Sequence, residues 1–180
     1  MVYCFLADGF EELEAIAPID MLRRAGVEVI TVGVTGKNVI GSHGITVVAD
    51  ITADEVVFSN SIDAVILPGG MPGTLNLENN ETVQRMIDFA AENGKYLCAI
   101  CAAPSVLGHK NLLTGKKATA FPGFEKDLYG AEIAEEYVCR DGKFITSRGA
   151  GVAVKFGLEI VCALTGEEKS REIEKTIQSL

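Results

Sequence analysis

The run Lys95-Tyr96-Leu97-Cys98-Ala99-Ile100-Cys101-Ala102-Ala103-Pro104-Ser105 decides the fold of this chain. Residues 96–100 are a short apolar stretch of the length of a buried strand. Helix-compatible residues follow at once. Pro104 stands where a first helical turn would be, and there its missing N–H removes no intrahelical bond. The reading is a strand that turns directly into a helix, with Cys101 at the junction. A thiol in that place feels the positive end of the helix dipole, so its pKa is expected to fall. A strand-turn-helix elbow is also how a nucleophile is presented above a sheet. Cys101 is thus a candidate reactive centre. The competing reading is one more small buried hydrophobe, as free cysteines often are.

Outward from this elbow the same alternation repeats. Residues 2–6 and 63–67 are further apolar strands, and 27–34 is another. Asp8-Gly9-Phe10-Glu11 has the form of a capping box, with Asp8 as the N-cap of a helix running to about Arg24 and stopped by Ala25-Gly26. The stripe Phe10, Leu13, Ala17, Met21 marks the face of that helix expected to meet the core. Glu14 lies within this face, where a carboxylate is costly unless it is protonated or partnered. Pro18, four residues on, disturbs the carbonyl of residue 14 and predicts a local irregularity. A slightly rotated stripe with Glu14 in solvent is the alternative. A short hairpin is expected from residues 39–40 and 45–48 around Gly41-Ser42-His43-Gly44, with His43 read as a solvated loop histidine.

Pro68-Gly69-Gly70-Met71-Pro72-Gly73 follows the strand 63–67. Glycines directly after a strand let backbone N–H groups approach a ligand or an oxyanion. The pattern is not G-x-G-x-x-G, so a dinucleotide site is not expected. Residues 81–93 form an amphipathic helix with Val83, Met86, Ile87 and Ala90 on one face, capped by Asn80 and ended by Gly94. His109 stands eight residues beyond Cys101, ~12 Å along a helix at ~1.5 Å per residue, too far to serve that thiol as a base. Residues 137–146 suggest a hairpin about Asp141-Gly142. A long helix is expected to open at Ser147-Arg148-Gly149-Ala150-Gly151 and run to about Thr165, its Gly-x-Gly serving helix-to-sheet packing. Residues 167–177 read as a charged surface helix.

The 180 residues suit one domain, 1–180, with a full core. Lys plus Arg number 16 and Asp plus Glu 25, a net charge of −9, which argues against nucleic acid and anionic membranes as partners. The amino-terminal residues lack the basic start and apolar length of a signal peptide, and no apolar stretch reaches a membrane span, so a cytoplasmic protein is expected. Five cysteines, an odd number, do not make a disulfide framework. Cys98 and Cys101 form a C-x-x-C, but Cys98 sits inside the strand and is a poor resolving thiol. No second cysteine or histidine pair stands at zinc spacing, so neither metal nor cofactor is expected.

Strands and helices that alternate from end to end describe a parallel α/β sheet covered on both faces, with ligands at the carboxyl ends of the strands. The loops at Asp8, Gly69-Gly70 and Cys101 all follow strands and can meet there. The pieces Glu11-Glu12-Leu13-Glu14, Asp20-Met21-Leu22-Arg23-Arg24-Ala25-Gly26, Leu67-Pro68-Gly69-Gly70, Ala99-Ile100-Cys101-Ala102-Ala103-Pro104 and Thr146-Ser147-Arg148-Gly149 stand in the order of one family. In them the chain resembles the DJ-one/ThiJ/PfpI superfamily, in its branch of small stand-alone DJ-one-like proteins. The resemblance implies a flavodoxin-like three-layer sandwich with a cysteine nucleophile elbow, and a homodimer. It implies that Cys101 is the oxidation-prone nucleophile, Glu14 its protonated partner, and Gly69 and Gly70, with Ala102, backbone donors. Arg24 and Arg148 are candidates for binding an anion. The implied activity is cofactor-free processing of a small aldehyde or ketoaldehyde, of glyoxalase or deglycase type; the alternatives are an oxidative-stress sensor oxidised at Cys101 and, more remotely, a cysteine peptidase. Two departures matter. Phe121 stands where some members carry a histidine near the cysteine, and Ala102 stands where PfpI-type peptidases carry one. No Cys-His dyad is assigned.

Overall fold

Strands made wholly of apolar residues need cover on both faces, and the chain supplies it by alternating them with helices. The computed structural model describes residues 1–179. In chain order, β1 (Val2–Leu6) leads to α1 (Glu12–Arg24), then β2 (Val29–Gly33) and a hairpin of β3 (Asn38–Ile40) and β4 (Thr46–Val48). β5 (Ile51–Thr52) and β6 (Ala64–Leu67) precede α2 (Gly73–Glu78) and α3 (Glu81–Glu92). β7 (Tyr96–Ile100) runs into α4 (Pro104–His109), followed by β8 (Lys117–Ala118), β9 (Glu132–Ile133), β10 (Val138–Asp141) and β11 (Phe144–Ser147). α5 (Ala153–Thr165) and α6 (Glu167–Thr176) close the chain.

Seven strands form the central sheet in the order β10-β11-β7-β6-β1-β2-β5, parallel except for the edge strand β10. Alternation along β7 splits the core in two. Cys98 and Ile100 face the layer of α1, α5 and α6, while Leu97 and Ala99 face α2, α3 and α4. This is the flavodoxin-like three-layer sandwich. The chain leaves β1 for β2 on one side and later crosses to β6 and β7 on the other. The loops after β1 and β6 therefore part at the centre of the sheet, where such folds place ligands. Among the described residues no helix is long and apolar enough to cross a membrane.

Several local expectations need correction. α1 begins at Glu12 and its N-cap is Glu11, whose side chain accepts from the Glu14 N–H at 2.8 Å. Asp8 caps no helix; its Oδ1 instead accepts from Ile40 N–H at 2.8 Å and ties the β1 loop to β3. The buried face of α1 is Glu14, Ala15, Pro18, Ile19, Met21 and Leu22, and Leu13 is 60 % exposed. The helix stays unbroken through Pro18. α5 packs on it there because Gly157 has no side chain: a Cβ would come within 2.8 Å of Pro18 Cα. The last helix but one starts at Ala153. Residues 147–152 close β11 and pass through a short 3-10 turn, and Gly149 faces Phe121 rather than a helix-sheet contact.

His109 packs in a separate cluster with Glu78 and the ring of Tyr129. His43 is exposed yet not free, since its Nδ1 lies 2.9 Å from Oε2 of the buried Glu12. All five cysteines are unpaired thiols, and Cys98 is fully buried.

Candidate active site

The sheet brings three strand ends together, and the elbow at the end of β7 is the tightest of them. Cys101 has φ 65°, a left-handed conformation that costs a non-glycine residue about 1 kcal/mol or more. Two long-range bonds hold it. Its N–H donates to Ser147 O at 2.8 Å and its carbonyl accepts from Phe121 N–H at 2.8 Å. β11 and the 121 segment thus clamp the turn from one side, while α4 leaves on the other with Pro104 in its first turn.

Opposite the elbow lies Glu14, only 1 % exposed. Its Oε2 accepts from Gly69 N–H at 3.0 Å, and its carboxyl also accepts from Ala150 N–H. The Cys101 thiol is its neighbour, near enough that each group shifts the other's pKa. The N–H groups of Gly70 and Ala102 are near the sulfur and favour its thiolate. Closeness of this order demands glycine. A Cβ on Gly69 would lie 2.6 Å from both Cys101 Cβ and Glu14 Oε2, and Gly70 has φ 88° with the Glu11 nitrogen 2.4 Å from any Cβ.

Burial pushes the Glu14 carboxyl up from 4.5 to about 7, although the thiol and the amide donors pull it down. The Cys101 thiol does not fall as its place at a helix start suggested. Burial and the adjacent Glu14 carboxylate push it up to about 12, against the pull of the Gly70 and Ala102 N–H groups. α4 has only six residues, and its dipole is outweighed by a carboxylate in contact. The state of the thiol is thereby tied to Glu14. When that carboxyl is ionised it repels a thiolate; when it is protonated it donates a hydrogen bond to one.

Of the residues singled out from the sequence, the fold gathers Cys101, Glu14, Gly69, Gly70 and Ala102 in one place. Gly69 differs from its expected use, because its N–H is directed to Glu14 and not to the reacting centre. Arg24 is elsewhere. It stands ten residues beyond Glu14 on α1, ~15 Å away along the axis, and its Nε pairs with Asp20 at 2.8 Å on the surface. Arg148 is at the site's margin, half-buried, with Nε donating to Thr119 Oγ1 at 3.3 Å and its guanidinium carbon 5.0 Å from the Tyr137 ring centre. Sequence reasoning missed Ala150 as a donor to Glu14 and Ser147 as the anchor of the elbow. Both lie in the segment read as a helix start, and the glycines at 149 and 151 were the signal that the chain there is a loop.

A parallel α/β sandwich with a cysteine on a left-handed elbow, set beside a buried glutamate, defines a class of cysteine-elbow proteins. The chain belongs to the DJ-1/PfpI family, which residues 1–163 match. It is 40 % identical over 172 residues to DJ-1 homolog B of Arabidopsis thaliana and 38 % over 176 to homolog A, covering 94 % and 96 % of this chain. It spans less than half the length of these two relatives, 39 % and 45 %. A deglycase of Thermococcus kodakarensis is 35 % identical over 148 residues, 81 % of this chain and 87 % of that protein. Among solved structures, oxidized DJ-1 of Toxoplasma gondii matches with a TM-score of 0.94 at 34 % identity, covering 98 % of this chain and 97 % of that one. Drosophila melanogaster DJ-1beta matches with a TM-score of 0.93 at 34 % identity, covering 99 % and 97 %.

Proposed function

We propose that this protein processes small reactive carbonyls, in the manner of a glyoxalase or deglycase, with Cys101 as nucleophile and Glu14 as proton carrier. The observation that carries this reading is the juxtaposition of a buried carboxyl, held near neutrality, with the elbow cysteine across Gly69. The T. kodakarensis relative named as a deglycase supports it at family level. For an α-oxoaldehyde the thiol adds to the aldehyde carbon, and the thiol proton ends on the new hydroxyl of a hemithioacetal. Glu14, as carboxylate, removes the proton from that carbon and returns it to the neighbouring carbonyl carbon, while the hydroxyl proton of the adduct passes through water to the neighbouring oxygen, leaving a thioester with a 2-hydroxyl. Water then releases a 2-hydroxy acid and restores the thiol. The N–H groups of Gly70 and Ala102 are placed for the negative charge that develops at the sulfur and its adduct. With Phe121 and Ala102 beside the elbow and no histidine at either position, all proton transfer falls to Glu14, the thiol and water.

The test is lactate formation from methylglyoxal without glutathione. Wild type is expected to turn over, and Cys101→Ser and Glu14→Gln to lose at least a hundredfold, the usual scale for a proton-transfer group. Full activity in Cys101→Ser refutes the mechanism.

A second reading is an oxidative-stress sensor in which peroxide supplies two oxygens to Cys101 to give a sulfinic acid. Its support is the same set of donors, since Gly70, Ala102 and a protonated Glu14 suit an oxidised sulfur, and the T. gondii relative is described in an oxidized form. Mass spectrometry after mild peroxide decides it: the reading fails if another cysteine gains oxygen first.

For either role a homodimer is the expected unit. Leu13 and Ile16 of α1 and Ile40, Ile45 and Val48 of the β3–β4 hairpin are exposed. α1 and the hairpin are joined through Glu12 and His43, so the apolar residues of both belong to one connected region.

A further inference from the structure

Beside the thiol the structure holds a cavity of about 460 Å³ lined by Phe121, Pro122, Tyr137, Arg148, Gly149 and Val152, among others. Its size falls within the range of small-molecule sites. Its walls adjoin the reacting groups. Phe121 is bonded to the Cys101 carbonyl through its N–H, and Ala150 in the same wall donates to Glu14. At Gly149 a Cβ would stand 3.3 Å from the Phe121 ring and 3.7 Å from Glu14 Oε1, so this residue of the cavity wall lies between the ring and the carboxyl.

The walls have a definite chemistry. Phe121 is 47 % exposed and Tyr137 61 % exposed, so two aromatic rings face solvent across one small space. Exposed aromatics at a cavity mouth suit a flat apolar group. Arg148 lies over Tyr137 and spends only its Nε, on a neutral threonine. No carboxylate pairs with it among the described residues, in a chain of net charge −9. Its terminal N–H groups are left for an anion, for which a guanidinium is well shaped.

We propose that this cavity receives the substituent of the substrate, and that the preferred carbonyl compounds are α-oxoaldehydes whose substituent is an aromatic ring carrying an anionic group. The oxoaldehyde lies at Cys101 and Glu14, the ring passes Gly149 between Phe121 and Tyr137, and the anion meets Arg148. This assignment rests on the carbonyl-processing reading above. It uses Phe121 as an apolar wall, which accounts for a residue that cannot serve as a base.

The experiment separates the two. 4-Acetylbenzoate presents a ketone, a ring and a carboxylate but cannot be isomerised, and its binding to the full chain is measured by titration calorimetry. Binding is expected in wild type and the outlying Arg24→Met alike, and about tenfold weaker in Arg148→Met and in Phe121→Ala, the scale of one charge-assisted bond or one lost ring contact. Acetophenone, without the anion, and 4-oxopentanoate, without the ring, are expected to bind about tenfold more weakly to wild type. In turnover, 4-carboxyphenylglyoxal is expected to exceed phenylglyoxal in kcat/KM, and Arg148→Met to erase the difference. Equal binding of all three probes, or an Arg148→Met protein that binds 4-acetylbenzoate like wild type, overturns the assignment even if methylglyoxal is converted. Selective binding without conversion of any oxoaldehyde upholds the anion-and-ring site and removes the carbonyl reaction instead.

Discussion

Replacing Glu14 by glutamine removes an ionisable group from the core while keeping its shape and an oxygen to accept from Gly69 and Ala150. The consequence for stability follows from proton linkage. In the folded protein the first proton leaves the Glu14–Cys101 pair at about 7, whereas a free glutamate releases it at 4.5. Between these values the folded state holds more protons than the unfolded chain, so stability falls as pH rises from 4.5 to about 7 and then levels off. The gap of about two and a half pKa units corresponds to about 3 kcal/mol above pH 7, and to well under half of that at pH 5. Glu14→Gln carries no such penalty. Urea unfolding of both proteins at pH 5 and pH 8, with the thiols kept reduced, measures the effect. The variant is expected to gain ~2–3 kcal/mol on wild type between the two pH values. Titrating groups that do not touch Glu14 are common to both proteins and cancel in the difference, and the same comparison in a Cys101→Ala background removes the coupled thiol. A constant difference at the two pH values would refute the claim that burial holds this carboxyl near neutrality.

Three further perturbations probe neighbouring features. Gly69→Ala places a methyl 2.6 Å from Cys101 Cβ and Glu14 Oε2, so it is expected to destabilise by ~2–4 kcal/mol and to change Cys101 alkylation; denaturant melts and timed alkylation measure both. His43 is held above its ordinary 6.5 by its bond to Glu12, so its stabilising contribution is present below 6.5 and is lost as pH rises through the higher folded value. Proton NMR should show that elevated titration, and Glu12→Gln should return it to the usual range. Ile45→Glu puts a charge in the exposed apolar region of the hairpin and is expected to convert a dimer to a monomer in sedimentation experiments without changing the unfolding slope of the subunit.

Much was decided by local sequence. The wholly apolar runs at β1, β6 and β7, each released into a helix or a glycine loop, specify a buried parallel sheet, because no strand of that composition can leave a face in water. The capped helix α3 was legible to its last buried residue, since Asn80, the periodic Val83, Met86, Ile87 and Ala90, and Gly94 act within a few residues of one another. Cys101 as the elbow and Glu14 as a carboxyl on a core face follow from the same short-range patterns. Other features were settled only when distant segments met. Whether Asp8 or Glu11 caps α1 depended on β3, which claims Asp8 through Ile40. Segment 147–152 read as a helix start because its residues permit one, yet Ser147 is held in the sheet by its pairing with β7 and its bond to the elbow. The two arginines were alike in sequence, and only the packing sent Arg24 to the surface and Arg148 to the rim of the thiol. The direction of the Cys101 pKa was decided in the same way. A helix dipole is written in adjacent residues, but burial and a carboxylate 87 positions away are products of the tertiary fold, and in a low-dielectric interior burial and that charge together prevail.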